Sequence, residues 1–202
     1  MKEPVMDWRD IMSWRQEVAA LYRPVCEAVE LSAAWMAFVT ARRELIHTHA
    51  GAMSVADKTG PHYFDYNPDF AAESHFAPLD ASQQHTVSGG KDGDITFTAI
   101  ACSTELTPII GAELTLYWLD QYGGGLFLPF KDASCGSASY GGGRYLLDSI
   151  KSAFLGTTKT GRLRLDFNYA YFPSCAHDNR YVCPLSPPEN TVPVAITAGE
   201  CW

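Results

Sequence analysis

The sequence lacks the short motifs that mark the commonest cofactor, metal and nucleophile sites. No glycine-rich loop ends in Gly-Lys-Ser or Gly-Lys-Thr, which excludes a phosphate loop of the Walker type. The glycine runs at residues 123–125 and 141–143 lack the strand-to-helix context of a dinucleotide site. Gly-x-Ser-x-Gly, His-Glu-x-x-His and Cys-x-x-Cys are absent too. The sequence therefore predicts no cofactor and no dedicated metal site.

Positive charge is scarce, and long apolar runs are missing. The chain has 15 Lys and Arg residues against 23 Asp and Glu, a formal net charge of −8. Since nucleic acids and anionic membrane surfaces are themselves negative, neither is expected as a partner. The longest strongly apolar run, residues 33–39, is far shorter than the roughly 20 residues of a membrane-spanning helix, and the first residues do not resemble a secretory signal. We therefore expect a cytoplasmic protein, with residues 1–202 forming a single domain.

Residues 1–50 show the apolar spacing of two amphipathic helices, which Pro24 is expected to interrupt. Arg42 falls on the apolar stripe of the second helix, where an unpaired guanidinium would be energetically expensive. It must either find a buried partner or extend along the helix edge to water. His49 follows on the same side of the helix, so Arg42 and His49 are candidate binding residues.

Residues 61–202 are mainly β by their period-two alternation of apolar and polar side chains. The turn residues at 121–125 join two of the strands into a hairpin. Helices followed by strands predict an α+β fold, with the N-terminal helices packed on an antiparallel sheet or a small β-barrel or roll. Strands are predicted at residues 94–103, 113–119, 126–130, 162–168 and 192–196.

Four motifs in the C-terminal half resemble a bacterial family of unknown function, DUF1684. They are Phe-Lys-Asp-Ala at 130–133, Tyr-Gly-Gly-Gly-Arg-Tyr at 140–145, a Leu-Asp-Phe-Asn segment running from 165 to 176, and Cys-Pro-Leu-Ser-Pro-Pro-Glu-Asn at 183–190. The resemblance extends over roughly residues 112–200, and the N-terminal half is similar to the short, actinobacterial members. It implies no activity. Cys135 and His177 depart from the family pattern, so any role for them would be particular to this chain.

Arg144 follows three glycines, which let the backbone approach a ligand closely. Its guanidinium could clamp a carboxylate or phosphate in bidentate fashion, or form a structural salt bridge with Asp132 or Asp166. Asp166 and Asn168 lie on the polar face of the predicted strand 162–168. That face is either exposed to solvent or lines a cavity.

Glu189 and Asn190 follow two prolines, which would aim the pair at little entropic cost. A carboxylate in an aromatic setting could act as a general acid or base; alternatively, Glu189 caps backbone amides and fixes its loop. The aromatic surroundings and further hydrogen bonds would come from Tyr140, Tyr145 and Tyr171.

Cys175 and Cys183 are separated by seven residues rich in turn formers. They could form a thiol pair or a disulfide, or bind a metal together with His177 and a further residue. Cys175 could also be a nucleophile with His177 as its base, and inert packing is a further alternative.

These residues favour a cofactor-independent enzyme that acts on a small organic molecule with an anionic group. The reaction would be acid–base chemistry, such as isomerisation, cyclisation, dehydration or hydrolysis. A non-catalytic module that binds a small ligand or a partner is the alternative, and a cysteine-based metal or redox protein is a third; a homodimer is compatible with each. The predicted catalytic residues are Glu189, Arg144 and Tyr140. The predicted substrate-binding residues are Asp166, Asn168, Tyr171, Asn190, Tyr145, Arg42 and His49.

Overall fold

The computed structural model describes residues 7–50, 52, 60–80, 84–88, 94–120, 122–179 and 181–202. The chain begins with the helices α1 (Trp8–Glu27) and α2 (Leu31–Thr48), and a short helix α3 (Thr107–Ile110) follows later. The strands are β1 (His62–Tyr63), β2 (Ala71–Ser74), β3 (Phe76–Pro78), β4 (Gln84–Ser88), β5 (Asp94–Ser103), β6 (Thr115–Leu119), β7 (Gly125–Phe130), β8 (Arg144–Asp148), β9 (Leu163–Asp166) and β10 (Glu200–Cys201).

Helix α1 begins at a side-chain cap and continues through its proline. The Asp7 carboxylate accepts the Arg9 N–H at 2.9 Å, which satisfies one of the free amides of the first turn. The interruption expected at Pro24 is wrong, because α1 ends only at Glu27. A proline removes only its own N–H donor, and the Ala28 N–H still closes the last turn on the Val25 carbonyl at 3.2 Å.

Helix α2 packs on the sheet through the stripe expected from its sequence. Trp35, Phe38 and Val39 are buried on this stripe, and Arg42 is buried with them. The rings of Phe38 and Tyr22 of α1 lie 5.0 Å apart in an edge-on arrangement, so the two helices bury their apolar faces together.

The fold is α+β, with two N-terminal helices followed by a mostly antiparallel sheet. Among the described residues six strands pair in one sheet, in which β3 and β4 both pair with β5, and the order continues β5-β6-β7-β8. This sheet is open, so of the two sheet forms expected from the sequence the barrel is not formed in the described part of the chain. The β6–β7 hairpin is confirmed; its Gly124 has φ +57°, and a Cβ there would lie 2.0 Å from the Trp118 ring.

One face of the sheet carries a row of aromatic rings, and the other carries aliphatic side chains. Tyr145, Phe127 and Phe97 form the row, with ring centroids 4.7 Å and 5.9 Å apart, and they belong to the same core as the α1 and α2 stripes. Because side chains alternate along a strand, Leu116 and Leu128 point to the opposite face. They pack there with α3 and with C-terminal residues.

Two of the predicted strands take other forms. The prediction of a strand over 162–168 is wrong at its end, because β9 stops at Asp166 and residues 167–169 form a turn of 3₁₀ helix. The strand predicted at 192–196 is not formed. There the Ile196 N–H donates to the carboxylate of Asp132 at 2.7 Å, so a side chain takes the place of a neighbouring strand's carbonyl.

Candidate functional site

A cavity of about 420 Å³ lies between the two helices, the turn after β8 and the C-terminal segment. Its volume is in the range of small-molecule sites, and its wall is mostly apolar and aromatic. Among the described residues three cationic side chains line it, and no Asp or Glu does. The lining residues are Ile11, Trp14, Arg15, Val18, Tyr22, Arg42, Lys151, Ala153, Tyr171, Phe172, Ser174, Tyr181, Val182 and Cys183.

Arg42 is the buried cation of this wall, and its partner is Glu200. The Nε and Nη2 atoms of Arg42 donate to Glu200 Oε1 at 3.1 Å and 2.9 Å, and the Tyr63 hydroxyl donates to the same oxygen at 3.0 Å. The Phe172 N–H donates to Glu200 Oε2 at 2.6 Å. Burial alone would raise the pKa of Glu200, but Arg42, His177 and the Phe172 N–H hold it below its ordinary value of 4.5. Arg42 therefore has the buried partner that its position required.

Arg42 and Tyr171 bring unused hydrogen-bonding capacity to the cavity wall. The Nη1 group of Arg42 makes no hydrogen bond within the described residues, and its Cζ lies 4.9 Å from the centroid of the Tyr171 ring. Tyr171 is buried, yet its hydroxyl has no partner in the described part of the chain. Burial raises the pKa of Tyr171 well above its ordinary value, so the hydroxyl keeps its proton at neutral pH.

The two remaining cations of the wall are held by neighbouring groups of the turn after β8. Lys151 Nζ lies 3.4 Å from the Asp148 carboxylate, and Arg15 Nη1 donates to the Ile150 carbonyl at 3.0 Å. Neither of these contacts uses every donor of the side chain. The cavity therefore combines positive charge with an apolar wall, in a chain whose net charge is −8.

Arg144 lies elsewhere and is committed to the protein itself. Its Nη2 atom donates to Asp132 Oδ1 at 3.2 Å and to the Ile196 carbonyl at 2.8 Å. Its Nη1 atom donates to the carbonyls of Ala198 and Glu200. The side chain is fully buried, does not line the cavity and shares no contact residue with Glu189. Of the two alternatives from the sequence, the salt bridge to Asp132 is the one formed.

Asp166 and Asn168 are fully buried and do not line the cavity. Asp166 Oδ1 accepts the Asn168 N–H at 2.9 Å and its side-chain amide at 2.7 Å. Asn168 also exchanges two hydrogen bonds of 2.8 Å with the Asn67 backbone, and the Tyr66 hydroxyl donates to Asp166 at 3.0 Å. The predicted polar face is therefore a buried hydrogen-bond network that connects residues 66–67 to the turn after β9.

Glu189 and its neighbour Asn190 have different environments. The amide of Asn190 is buried and bonds the backbone N–H and carbonyl of Thr115 at 2.7 Å and 2.8 Å. Glu189 is about one third exposed; its Oε1 accepts the Tyr117 hydroxyl at 2.9 Å and lies 2.8 Å from His85 Nε2. Asn190 thus attaches its loop to β6, whereas Glu189 belongs to a small polar cluster with His85 and Tyr117.

Three other predicted residues lie outside the cavity lining. His49 contacts α1: its Nε2 lies 2.9 Å from Ser13 Oγ and 3.5 Å from a carboxylate oxygen of Glu17. The Tyr145 hydroxyl donates to the Pro184 carbonyl at 2.7 Å. The Tyr140 hydroxyl lies 3.8 Å from the Cys175 sulfur.

Cys175 and Cys183 are both free and lie in contact. The Cys175 N–H donates to the Cys183 sulfur at 3.4 Å, and the Cys175 thiol bonds to it as well. This hydrogen bond from Cys175 lowers the pKa of Cys183 to about 6, and that of Cys175 is raised. His177 Nε2 lies 3.8 Å from Glu200 and forms no hydrogen bond with either thiol within the described residues. No group of three His, Cys, Asp or Glu side chains in the described ranges is arranged to hold a metal ion.

The cavity thus unites Arg42, Tyr171 and Cys183, three residues singled out from the sequence, with Lys151 and the helix α1. Sequence reasoning missed Glu200. A buried arginine requires an acid, but the sequence offers 23 of them and no spacing that selects one.

Comparison with known families places the chain among its relatives. It matches the family described as "Protein of unknown function (DUF1684)" over residues 57–201, more than half of its length. The chain belongs to the DUF1684 family. The family match starts after α2, so the helix that supplies Arg42 lies outside it.

A solved structure with this fold is the solution NMR structure of the uncharacterized protein from gene locus rrnAC0354 of Haloarcula marismortui. It is 26% identical, with a TM-score of 0.55, and the alignment covers 84% of this chain and 95% of that one. None of the curated proteins matches the chain. None of the described helices is long and apolar enough to cross a membrane.

Proposed function

We propose that this protein is a cofactor-independent enzyme that binds a small, mostly apolar organic anion in the cavity and acts on it by acid–base chemistry. One observation carries the proposal. An arginine Nη1 group and a tyrosine hydroxyl, both without a hydrogen-bond partner in the described residues, adjoin one cavity of about 420 Å³. A buried polar group is normally satisfied by a partner, and a ligand in the cavity would supply one to the Tyr171 hydroxyl.

The charge and polarity of the wall indicate the ligand class. Arg42, Lys151 and Arg15 favour an anionic group, although Glu200 and Asp148, which are not among the described lining residues, offset part of the charge of Arg42 and Lys151. The aromatic and aliphatic wall favours an apolar body. A carboxylate on an aromatic or alicyclic frame matches both requirements.

Tyr171 is the residue best placed to donate a hydrogen bond to a substrate oxygen in this cavity. Because burial raises the pKa of its hydroxyl, Tyr171 keeps its proton and acts as a hydrogen-bond donor. Placed beside the Arg42 guanidinium, it would stabilise negative charge that develops on a substrate oxygen. Such a pair suits isomerisation, dehydration or cyclisation of a carbonyl-containing acid.

A second candidate site is the cluster around Glu189. Its carboxylate contacts both His85 and Tyr117 and remains partly open to solvent. This combination of acid, imidazole and phenol suits general acid–base catalysis. The acid–base role predicted for Glu189 from the sequence stays a prediction. The structure adds His85 as a neighbour of its carboxylate.

Binding is tested with anilinonaphthalene sulfonate, a fluorescent aromatic anion, and with small aromatic carboxylates as competitors. Tyr171→Phe should weaken binding about fivefold, the equivalent of one hydrogen bond. Lys151→Gln should weaken it severalfold, and the effect should shrink as salt is added. The matched controls are Tyr122→Phe and Lys159→Gln, which alter side chains outside the cavity lining. Equal affinity in all four variants would contradict binding in the cavity.

Turnover is tested by metabolite profiling of a deletion strain of the native host. Complementation with wild type, Tyr171→Phe or Glu189→Gln, at matched protein levels, separates the two sites. If a compound accumulates in the deletion and Tyr171→Phe fails to clear it, the cavity is the site of reaction. Failure of Glu189→Gln alone would instead favour the second candidate. If both variants clear it, neither residue is catalytic, and the non-catalytic alternative is favoured.

A further inference from the structure

Two cysteines, Cys175 and Cys183, lie in contact at the cavity wall and have no part in the proposed function. Cys183 lines the cavity, and Cys175 contacts its sulfur through both its N–H and its thiol. No disulfide joins them, and the Cys175 N–H, at 3.4 Å from the Cys183 sulfur, holds the two residues in contact. Two cysteines in contact are positioned to bridge if their Cα and Cβ atoms come within disulfide range.

The surroundings of the pair differ from one cysteine to the other. Cys183 faces the Lys151 ammonium, which favours its thiolate. Cys175 faces the Tyr140 hydroxyl and the sulfur of Cys183. Asp148 lies 3.4 Å from Lys151 and moderates that cation.

The balance of these groups leaves the two thiols unequal. The pKa of Cys183 falls to about 6, and that of Cys175 is raised. A thiolate is the nucleophilic form of cysteine, so at neutral pH Cys183 is the reactive member of the pair.

The burial of Cys183 limits the size of the reagents that can react with it. The residue is 8% exposed, so its route to solvent is through the cavity. A small oxidant can enter there, whereas the disulfide of a protein partner cannot approach a sulfur at this depth.

We propose that Cys183 and Cys175 form a reversible oxidation site, in which Cys183 reacts with a small hydroperoxide and Cys175 completes a disulfide. The Cys183 thiolate attacks the terminal peroxide oxygen; an S–O bond forms, the O–O bond breaks, and the leaving alkoxide or hydroxide takes a proton from water. The Cys175 sulfur, having lost its proton to water, then attacks the Cys183 sulfenic acid, forming the S–S bond and releasing hydroxide. Two thiols lose two electrons while the peroxide is reduced, and a thiol reductant reverses the change.

The inference is tested on the full chain with hydrogen peroxide and peptide mass spectrometry. Trypsin cleaves after Arg180, between the two cysteines, so a bridge between them joins two separate peptides. Wild type should yield this linked pair faster than oxidation of Cys102, whose pKa is raised by burial, by at least about tenfold. Oxidation spread evenly over the cysteines, or no link between the two peptides, would overturn the proposal.

Two variants separate the roles of the sulfurs. Cys175→Ser should accumulate a sulfenic acid on Cys183 that dimedone captures, while Cys183→Ser should form neither adduct nor bridge. Cys26→Ser, the matched control, should behave as wild type. Dimedone capture on Cys175 rather than Cys183 would reverse the assignment and contradict it. If a variant fails to fold, the wild-type peptide link still decides.

The pH dependence of alkylation gives an independent measurement. Iodoacetamide should label Cys183 with a midpoint near pH 6, and Cys175→Ala should move that midpoint upward because a hydrogen-bond donor to the thiolate is lost. A midpoint at or above the ordinary cysteine value of 9 would overturn the inference. None of these measurements needs a bound ligand, so they test the oxidation site independently of the proposed function.

Discussion

Two arginines are buried in this protein, and their surroundings assign them different roles. Arg144 and Asp132 form an ion pair with both side chains fully buried, and three backbone carbonyls from residues 196, 198 and 200 accept its remaining Nη hydrogens. Arg42 pairs with Glu200, but one of its Nη groups has no hydrogen bond within the described residues, and its side chain lines the cavity. One centre joins β8 to the C-terminal segment, and the other adjoins the proposed ligand site.

The difference lies in which groups neighbour each guanidinium. Burial lowers the pKa of Arg144, and Asp132 opposes the shift only in part. Burial also acts to lower the pKa of Arg42, but Tyr63 and Glu200 outweigh it and leave that pKa raised. The buried Nε of Arg144 also has no hydrogen-bond partner within the described residues, so neither buried charge nor an unused donor identifies a site by itself; a neighbouring cavity does.

The largest effect is expected at the centre without a cavity. Arg144→Met leaves Asp132 buried without its cation, which should lower the free energy of unfolding by about 3–5 kcal/mol. Arg9→Met, which breaks the exposed pair with Asp7, should change it by less than about 1 kcal/mol. Urea unfolding of both variants gives the comparison. A loss below about 1 kcal/mol at Arg144 would contradict its structural role.

The next effect is a dependence on pH at the cavity centre. The folded-state pKa of Glu200 is below 4.5, so its carboxylate stabilises the fold above the unfolded-state pKa, and this contribution is lost as pH falls through the folded-state pKa. Glu200→Gln should therefore be less stable than wild type at neutral pH, and the gap should narrow on acidification. Urea unfolding at a series of pH values between about 7 and 3 measures the gap. A gap independent of pH would show that Glu200 is not ionised in the fold.

Local patterns predicted the helices α1 and α2 and the strands β5, β6, β7 and most of β9, but missed β8. For Arg42 they left two alternatives, a buried partner or an exit to water, of which the partner is formed. The bounds of β5 agree with the alternation of residues 94–103, because every other side chain there enters the core. The strand predicted from the alternation at 162–168 is longer than β9. Asp166 fits that alternation, but its side chain caps the following 3₁₀ turn and ends the strand. Periodicity does not reveal such a cap.

The composition of the site could not be predicted in the same way. Arg42 is far along the chain from Tyr171 and Cys183, and only tertiary packing brings it to them. Arg144 and Glu189 lie in strong motifs, yet they share no contact residue. Motif density identified the C-terminal segment that lines the cavity, but it could not distinguish residues that hold the backbone from residues that face a ligand.

A smaller effect distinguishes two tyrosines of the same aromatic core. The Tyr145 hydroxyl donates to the Pro184 carbonyl, whereas the Tyr171 hydroxyl has no partner in the described part of the chain. Tyr145→Phe should therefore lower the free energy of unfolding by about 1 kcal/mol, and Tyr171→Phe should leave it unchanged or raise it slightly. Thermal and urea unfolding provide the measurement. Equal losses in both variants would mean that Tyr171 has a partner in the free protein.

The smallest effect on stability is expected at Glu189, where a role in catalysis and a role in the fold separate most sharply. Its side chain is one third exposed, so Glu189→Gln should change the free energy of unfolding by no more than about 0.5 kcal/mol. The neighbouring Asn190→Ala removes three buried hydrogen bonds to backbone groups and should destabilise the fold by several times that amount. If Glu189→Gln proves as damaging as Asn190→Ala, Glu189 fixes its loop. If it is neutral in unfolding yet fails to clear the accumulated compound, the Glu189 cluster takes the place of the Arg42 cavity as the reacting site.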